Sequence, residues 1–103
     1  MDKLYNIILD HDTRIFVSFN VYNKNISSFI IKLLYLANNE WHEVRRFDTA
    51  HNSVHEDILN LAGQKVRKVI YYQLDNQSGL NFAIDKYKDH YREYIKEYIK
   101  WKK

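Results

Sequence analysis

Seven apolar or aromatic residues, Leu80, Ile84, Tyr87, Tyr91, Tyr94, Tyr98 and Trp101, recur at spacings of 4, 3, 4, 3, 4 and 3 near the end of the chain. Only an α-helix stacks residues three and four apart on one face. The spacing therefore predicts one C-terminal helix of about six turns, roughly 35 Å long. The run Asp75-Asn76-Gln77-Ser78-Gly79 ahead of it supplies a turn and a capping side chain. A lone helix with one apolar stripe must bury that stripe against something else.

What precedes the helix reads with period 2. Ile15, Val17, Phe19 and Val21 alternate with Arg14, Phe16, Ser18, Asn20 and Tyr22, the pattern of a strand. Asn23-Lys24-Asn25 makes a turn, because asparagine tolerates left-handed backbone. Residues 26–37 form a second strand, apolar on both faces in its middle, which predicts a central strand covered on both sides. Asn38-Asn39 turns the chain into a third strand over 41–48, and residues 66–74 form another. Residues 4–9 read as a first edge strand. The segment 52–65 is open between two readings. Ser53 and Glu56 have capping-box spacing, with Gly63 as a helix stop, whereas residues 54–61 equally suit a strand entering a hairpin. The prediction is a single α+β domain over residues 1–103, an antiparallel meander of four to five strands packed by one long C-terminal helix. The helix is predicted to outrun so small a sheet, leaving Tyr98, Ile99 and Trp101 for a partner or a second copy in a homodimer.

Composition excludes several classes of function. There is no cysteine among the 103 residues, hence no disulfide, thiolate nucleophile or cysteine zinc site. No phosphate-cradling glycine loop, nucleophile elbow or zinc-finger spacing occurs. The N-terminus lacks a signal-peptide pattern, and the longest apolar run, 29–37, is interrupted by Lys32. A cytoplasmic protein without membrane contact is expected. The net charge of +3, from 16 Lys and Arg against 13 Asp and Glu, permits contact with nucleic acid without demanding it. On the helix, the basic row Lys88, Arg92, Lys96 and Lys100 runs beside the acidic row Asp85, Asp89, Glu93 and Glu97, and reads as an ion-paired solvent face. Asp10-His11-Asp12 reads as a turn before the strand at Arg14.

Chemistry-bearing residues concentrate in Arg45-Arg46-Phe47-Asp48-x-x-His51-x-x-x-His55-x-Asp57. A histidine near neutrality can take a proton from an attacking hydroxyl or return one to a leaving oxygen. An arginine can grip a phosphate with two prongs, and a carboxylate can orient a histidine. A metal-free endoribonuclease needs that set, since RNA supplies its own 2′-hydroxyl. His51 and His55 are the expected acid/base pair and Arg45 or Arg46 the phosphate clamp. Asp48 and Asp57 are the expected orienting groups. No cofactor is called for. A metal-dependent hydrolase built on His51 and His55, with Asp48 or Asp57 as a third ligand, is an alternative. So is a polar loop that collects His, Asp and Asn for turn chemistry alone, with Arg45 paired to Glu43.

The stretch Trp41-x-x-Val44-x-Arg46-Phe47-Asp48-x-Ala50-His51-x-x-x-His55-x-Asp57, with Gly63 in the turn beyond, resembles small prokaryotic proteins of the TumE type. The resemblance covers about 20 residues and touches Arg46, Asp48, His51, His55 and Asp57. It implies a toxin of a toxin–antitoxin pair, a nuclease-like action on RNA and a neutralising antitoxin partner. It also favours the hairpin over the helix for 54–67. Where that group commonly has glycine after the histidine, this chain has Asn52-Ser53.

Overall fold

Backbone at positive φ sets the strand connections. Asn23 and Lys24 lie at φ 50° and 66°, Asn38 and Asn39 at 53° and 62°, so each pair closes a two-residue hairpin whose twist matches that of the flanking strands. The structure is a computed structural model that describes residues 2–100 and, for His51, the backbone alone. The expected partner role of Trp101 lies outside the described residues. The elements run β1 (Asp2–Asp10), β2 (Thr13–Tyr22), β3 (Asn25–Ala37), β4 (Glu40–Asp48), β5 (Val54–Leu59), β6 (Lys65–Tyr71) and α1 (Asn76–Lys100), with a 3-10 turn at Ala50–Asn52. The strands form one antiparallel sheet in the order β1-β2-β3-β4-β5-β6.

The α+β class and the C-terminal helix stand as expected, but the sheet has six strands rather than four or five. The additional one is β5, where the helix and hairpin readings were balanced. Glu56 decides between them. In a capping box it would lie at the helix surface; instead it is fully buried, and β5 has ladder partners on both sides.

One face of the sheet carries Ile15, Val17, Phe29, Ile31, Leu33, Phe47 and Val54, which bury α1 through Leu80, Ala83, Tyr87, Tyr91, Ile95 and Tyr98. The other face has no layer over it among the described residues. The expectation that β3 is covered on both sides is therefore corrected: Ile30, Leu34 and Leu36 on its second face are only half-buried. The helix also does not outrun the sheet. At 13 residues β3 extends roughly 43 Å, longer than the roughly 37 Å of the 25-residue α1. Tyr98 is accordingly buried against the sheet, and of the described residues of the expected partner face only Ile99 is exposed. No described helix is long and apolar enough to cross a membrane.

Asp75 caps α1: its Oδ1 accepts the Ser78 amide at 2.8 Å, which holds its carboxyl below the usual carboxylate range. One turn on, α1 approaches β5 closely at Gly79. A Cβ there would stand 2.7 Å from Val54 Cγ2, and a β-branched neighbour yields poorly. Gly79→Ala gains about 1 kcal/mol of helix propensity but incurs an overpacking cost of about 1–3 kcal/mol. The variant is expected to melt below wild type in a circular-dichroism thermal scan, the opposite of the usual effect of removing a helical glycine.

Candidate active site

Strand register gathers the candidate residues. Arg46 lies opposite Asp57, and Asp48 opposite His55. Opposed residues of an antiparallel pair project to one side, and for these four it is the side away from α1. Positions 46 and 48, and 55 and 57, are two apart and share a face, so two short strands deliver an arginine, a histidine and two carboxylates to one patch.

The distances are those of a connected group. His55 Nε2 lies 2.7 Å from Asp48 Oδ1 and 4.0 Å from Asp57 Oδ2. Arg46 Nε is 3.1 Å from Asp48 Oδ2, an ion pair without hydrogen-bond alignment. Asp48 Oδ1 also accepts the Ala50 amide at 3.1 Å, which ties the carboxylate to the 3-10 turn. His55 Nδ1 faces the Ser53 carbonyl at 3.4 Å. Lys65, which sequence reasoning passed over, reaches Asp57 Oδ2 at 3.3 Å from the neighbouring strand. Asp48, His55 and Asp57 are all buried, and Asp57 is only 1% exposed. Their ligand-capable atoms all lie within 4.8 Å of one another. Arg46 is half-buried and reaches further toward solvent.

Arg46 and Asp48 form one wall of a cleft of about 300 Å³ on the helix-free face. Across from them stand Ser18, Asn20 and Ser28 of β2 and β3, with Thr49 at one end. Asn20 Nδ2 donates to Ser28 Oγ at 2.8 Å, and Thr49 Oγ1 accepts the Phe29 amide at 3.1 Å. No local motif marks these polar residues; only the pairing of β3 with β2 on one side and β4 on the other brings them beside Arg46.

Of two further expected members, one is described only by its backbone and the other is not brought to this patch. The backbone of His51 lies in the 3-10 turn, but its side chain is outside the described residues. Arg45 lies on the opposite face of the sheet. The ladder between β3 and β4 shifts register so that Leu33 pairs with Arg45 and Leu34 with Glu43. Val44 is the extra residue of this bulge, which turns both Val44 and Arg45 inward. The expected phosphate clamp at Arg45 is thereby corrected, and so is its expected pairing with Glu43, whose neighbour is Arg46 at 3.7 Å.

The whole chain, residues 1–103, matches one family model. It belongs to the family described as Domain of unknown function (DUF7718). No curated protein and no solved structure matches it.

In this DUF7718 chain the inward-facing side of β4 and β5 carries a second polar group, sealed under α1. Glu56 receives Lys86 Nζ at 2.7 Å, Tyr87 Oη–H at 3.0 Å and Arg45 Nη1 at 3.4 Å. Lys86 also meets Tyr71 Oη at 3.2 Å. Arg45 reaches Glu97 at 2.9 Å and stacks 3.6 Å over the ring of Tyr94. Part of the helix's acidic row thus pairs with the sheet rather than with its own lysines. The network is enclosed by protein, with no room for a substrate, and it fastens α1 to β4 and β5.

This network predicts alkaline sensitivity. Burial, and then the Glu56 carboxylate, push the Tyr87 phenol well above its ordinary value. Burial pulls the Lys86 ammonium down, but its hydrogen bond to Glu56 and that carboxylate's charge outweigh burial, so the net direction is up. Both groups hold their protons more tightly folded than unfolded. Their stabilisation is therefore complete below about pH 10 and is lost as pH rises through the folded values. Above about pH 10, Tyr87 alone contributes a fall of up to about 1.4 kcal/mol per pH unit. Urea melts between pH 8 and pH 11 are expected to show a shallower decline in Tyr87→Phe than in wild type; equal slopes would remove Tyr87 from the account.

Proposed function

We propose that the protein is a toxin-like RNA-cleaving enzyme that acts without a metal, and that its natural partner is a neutralising antitoxin protein. The observation that carries this reading is the 2.7 Å contact between His55 Nε2 and Asp48 Oδ1, with Arg46 beside Asp48, where Arg46 and Asp48 wall a cleft whose lining mixes Ser18, Asn20, Ser28 and Thr49 with Phe19, Phe29 and Ile30. The resemblance of Arg46-Phe47-Asp48-x-x-His51-x-x-x-His55 to TumE-type proteins supports the choice of substrate and partner.

A phosphodiester drawn into the cleft is held by the Arg46 guanidinium, exchanging its ion pair with Glu43 for a two-pronged grip on phosphate. Asp48, the member of the pair that lines the cleft, takes the proton of the RNA 2′-hydroxyl. The 2′ oxygen then bonds to phosphorus as the P–O5′ bond breaks. The Asp48–His55 pair, in contact at 2.7 Å, returns a proton to the departing 5′ oxygen, so it ends with the protons it began with. The products are a 2′,3′-cyclic phosphate and a 5′-hydroxyl. In this scheme Asp48, expected from the sequence as an orienting group, takes the base's role, and His55, expected as half of the acid/base pair, is its proton partner.

The test is cleavage of a defined RNA by purified protein in the presence of a chelator, beside DNA of the same sequence. RNA cut with cyclic-phosphate ends, and DNA untouched for want of a 2′-hydroxyl, is the expected result. Cleavage of both substrates, or of neither by folded protein, would overturn the reading.

A further inference from the structure

We infer that Asp48, His55 and Asp57 form a binding site for one divalent transition-metal ion, and that occupancy of this site switches off the chemistry proposed above. Only the second half rests on the RNA-cleaving reading; the site itself rests on unsatisfied acceptors in the cluster. A proton on His55 Nε2 satisfies Asp48 Oδ1 at 2.7 Å but cannot serve Asp57, whose nearer oxygen is 4.0 Å away. Asp57 is 1% exposed, and its Oδ1 has no hydrogen-bond partner among the described residues. An orphaned carboxylate oxygen at that depth costs free energy unless something positive meets it. Lys65 serves only Oδ2, from a side chain that is 63% exposed.

A divalent ion between the three groups satisfies them together. Donation from His55 Nδ1–H to the Ser53 carbonyl leaves the Nε2 lone pair directed into the cluster, the tautomer and outer contact that metal-bound histidines use. Asp48 offers Oδ1 while Arg46 stays on Oδ2, and Asp57 offers a carboxylate oxygen within the same 4.8 Å cluster. One imidazole and two carboxylates suit zinc, manganese or cobalt rather than a soft ion. The nearby charges oppose each other: Arg46 and Lys65 lower the affinity, whereas two buried carboxylates raise it. The second cluster, Asp10, His11 and Asp12, is solvent-exposed, and its side chains already bond within the turn. It serves as the internal control.

An ion bound there occupies the Nε2 lone pair and Asp48 Oδ1, the two atoms between which the proposed proton transfer runs. Zinc is then an inhibitor, and removal of zinc restores activity.

The experiment titrates Co²⁺, followed by its visible absorption, and Zn²⁺, followed by calorimetry, into the full chain. One ion per chain is expected. His55→Ala and the near-isosteric Asp57→Asn should each weaken binding by at least about tenfold, His11→Ala should leave it unchanged, and Lys65→Gln should tighten it. Absence of binding by wild type, or binding lost in His11→Ala and kept in Asp57→Asn, overturns the site. These readouts need no RNA. In the cleavage assay, zinc at saturation should stop the reaction and excess chelator restore it. Full cleavage by zinc-loaded protein overturns the switch. Metal bound as described with no cleavage under any condition upholds the site and overturns the RNA-cleaving reading instead.

Discussion

Glu56→Ala is expected to lower folding stability by about 3–5 kcal/mol, the cost of stranding charges around a buried site whose partner is removed. In wild type the Glu56 carboxylate is fully buried and accepts from Lys86, Tyr87 and Arg45. Without it, the Tyr87 hydroxyl has no acceptor beneath the helix. The Lys86 ammonium keeps only the Tyr71 hydroxyl, and Arg45 keeps only Glu97 at the rim. A domain of this size holds about 5–15 kcal/mol in all, so the variant loses a large part of its margin. Its melting temperature should fall by roughly 12–30 °C. Glu97→Ala is the comparison: Glu97 is 59% exposed in its contact with Arg45, and a surface ion pair contributes about 0–1 kcal/mol. Equal melting of Glu56→Ala and Glu97→Ala would mean that the network is incidental to how α1 is held.

This network also explains where the sequence was legible and where it was not. The period-2 run 14–22, the asparagine turns at 23–24 and 38–39 and the helical stripe are local signals, and each yields the element it predicts. Glu56 carries two messages. Its local one, three residues after Ser53, is a helix start; its actual partners, Lys86 and Tyr87, lie 30 and 31 residues away. The distant contacts decide, and β5 is a strand. The same limit applies to Arg45 and Arg46, adjacent residues that end on opposite faces of the sheet. Alternation along β4 separates them, but which of the two faces α1 is set by the bulge at Val44, a property of how β3 pairs with β4. By contrast Arg46, Asp48, His55 and Asp57 were legible as a cluster in sequence: i, i+2 spacing pairs 46 with 48 and 55 with 57 in strands, and the β4–β5 register then sets both pairs on one face. The polar wall at Ser18, Asn20 and Ser28 was not, since it depends on sheet register. The tyrosines misled in a different way. A stripe of aromatics at the end of a helix reads as surplus only if the sheet is short, and the 13-residue β3 makes it long.

Asp48→Asn is expected to lower the rate of RNA cleavage by about 10²–10⁴-fold, the usual contribution of a positioned acid/base group, with little change in KM. The substitution is nearly isosteric. The Asn carbonyl oxygen can still accept from the Ala50 amide and lie against His55 Nε2, the two contacts that position Asp48 Oδ1. Folding should therefore survive, with a melting curve close to wild type. What disappears is the ability to take a proton from the 2′-hydroxyl. His55→Ala should produce a loss of similar size, and the double variant should be no worse than either single one, because the two residues act as a unit. Arg46 separates binding from proton transfer. Arg46→Ala should raise KM as well as lower kcat, and Arg46→Lys should recover part of the binding but not the two-pronged grip. If Asp48→Asn cleaves RNA at the wild-type rate while Arg46→Ala still weakens binding, the cleft is a nucleic-acid-binding groove and the Asp48–His55 contact is structural. If neither variant differs from wild type, any cleavage seen belongs to another part of the surface or to a contaminant.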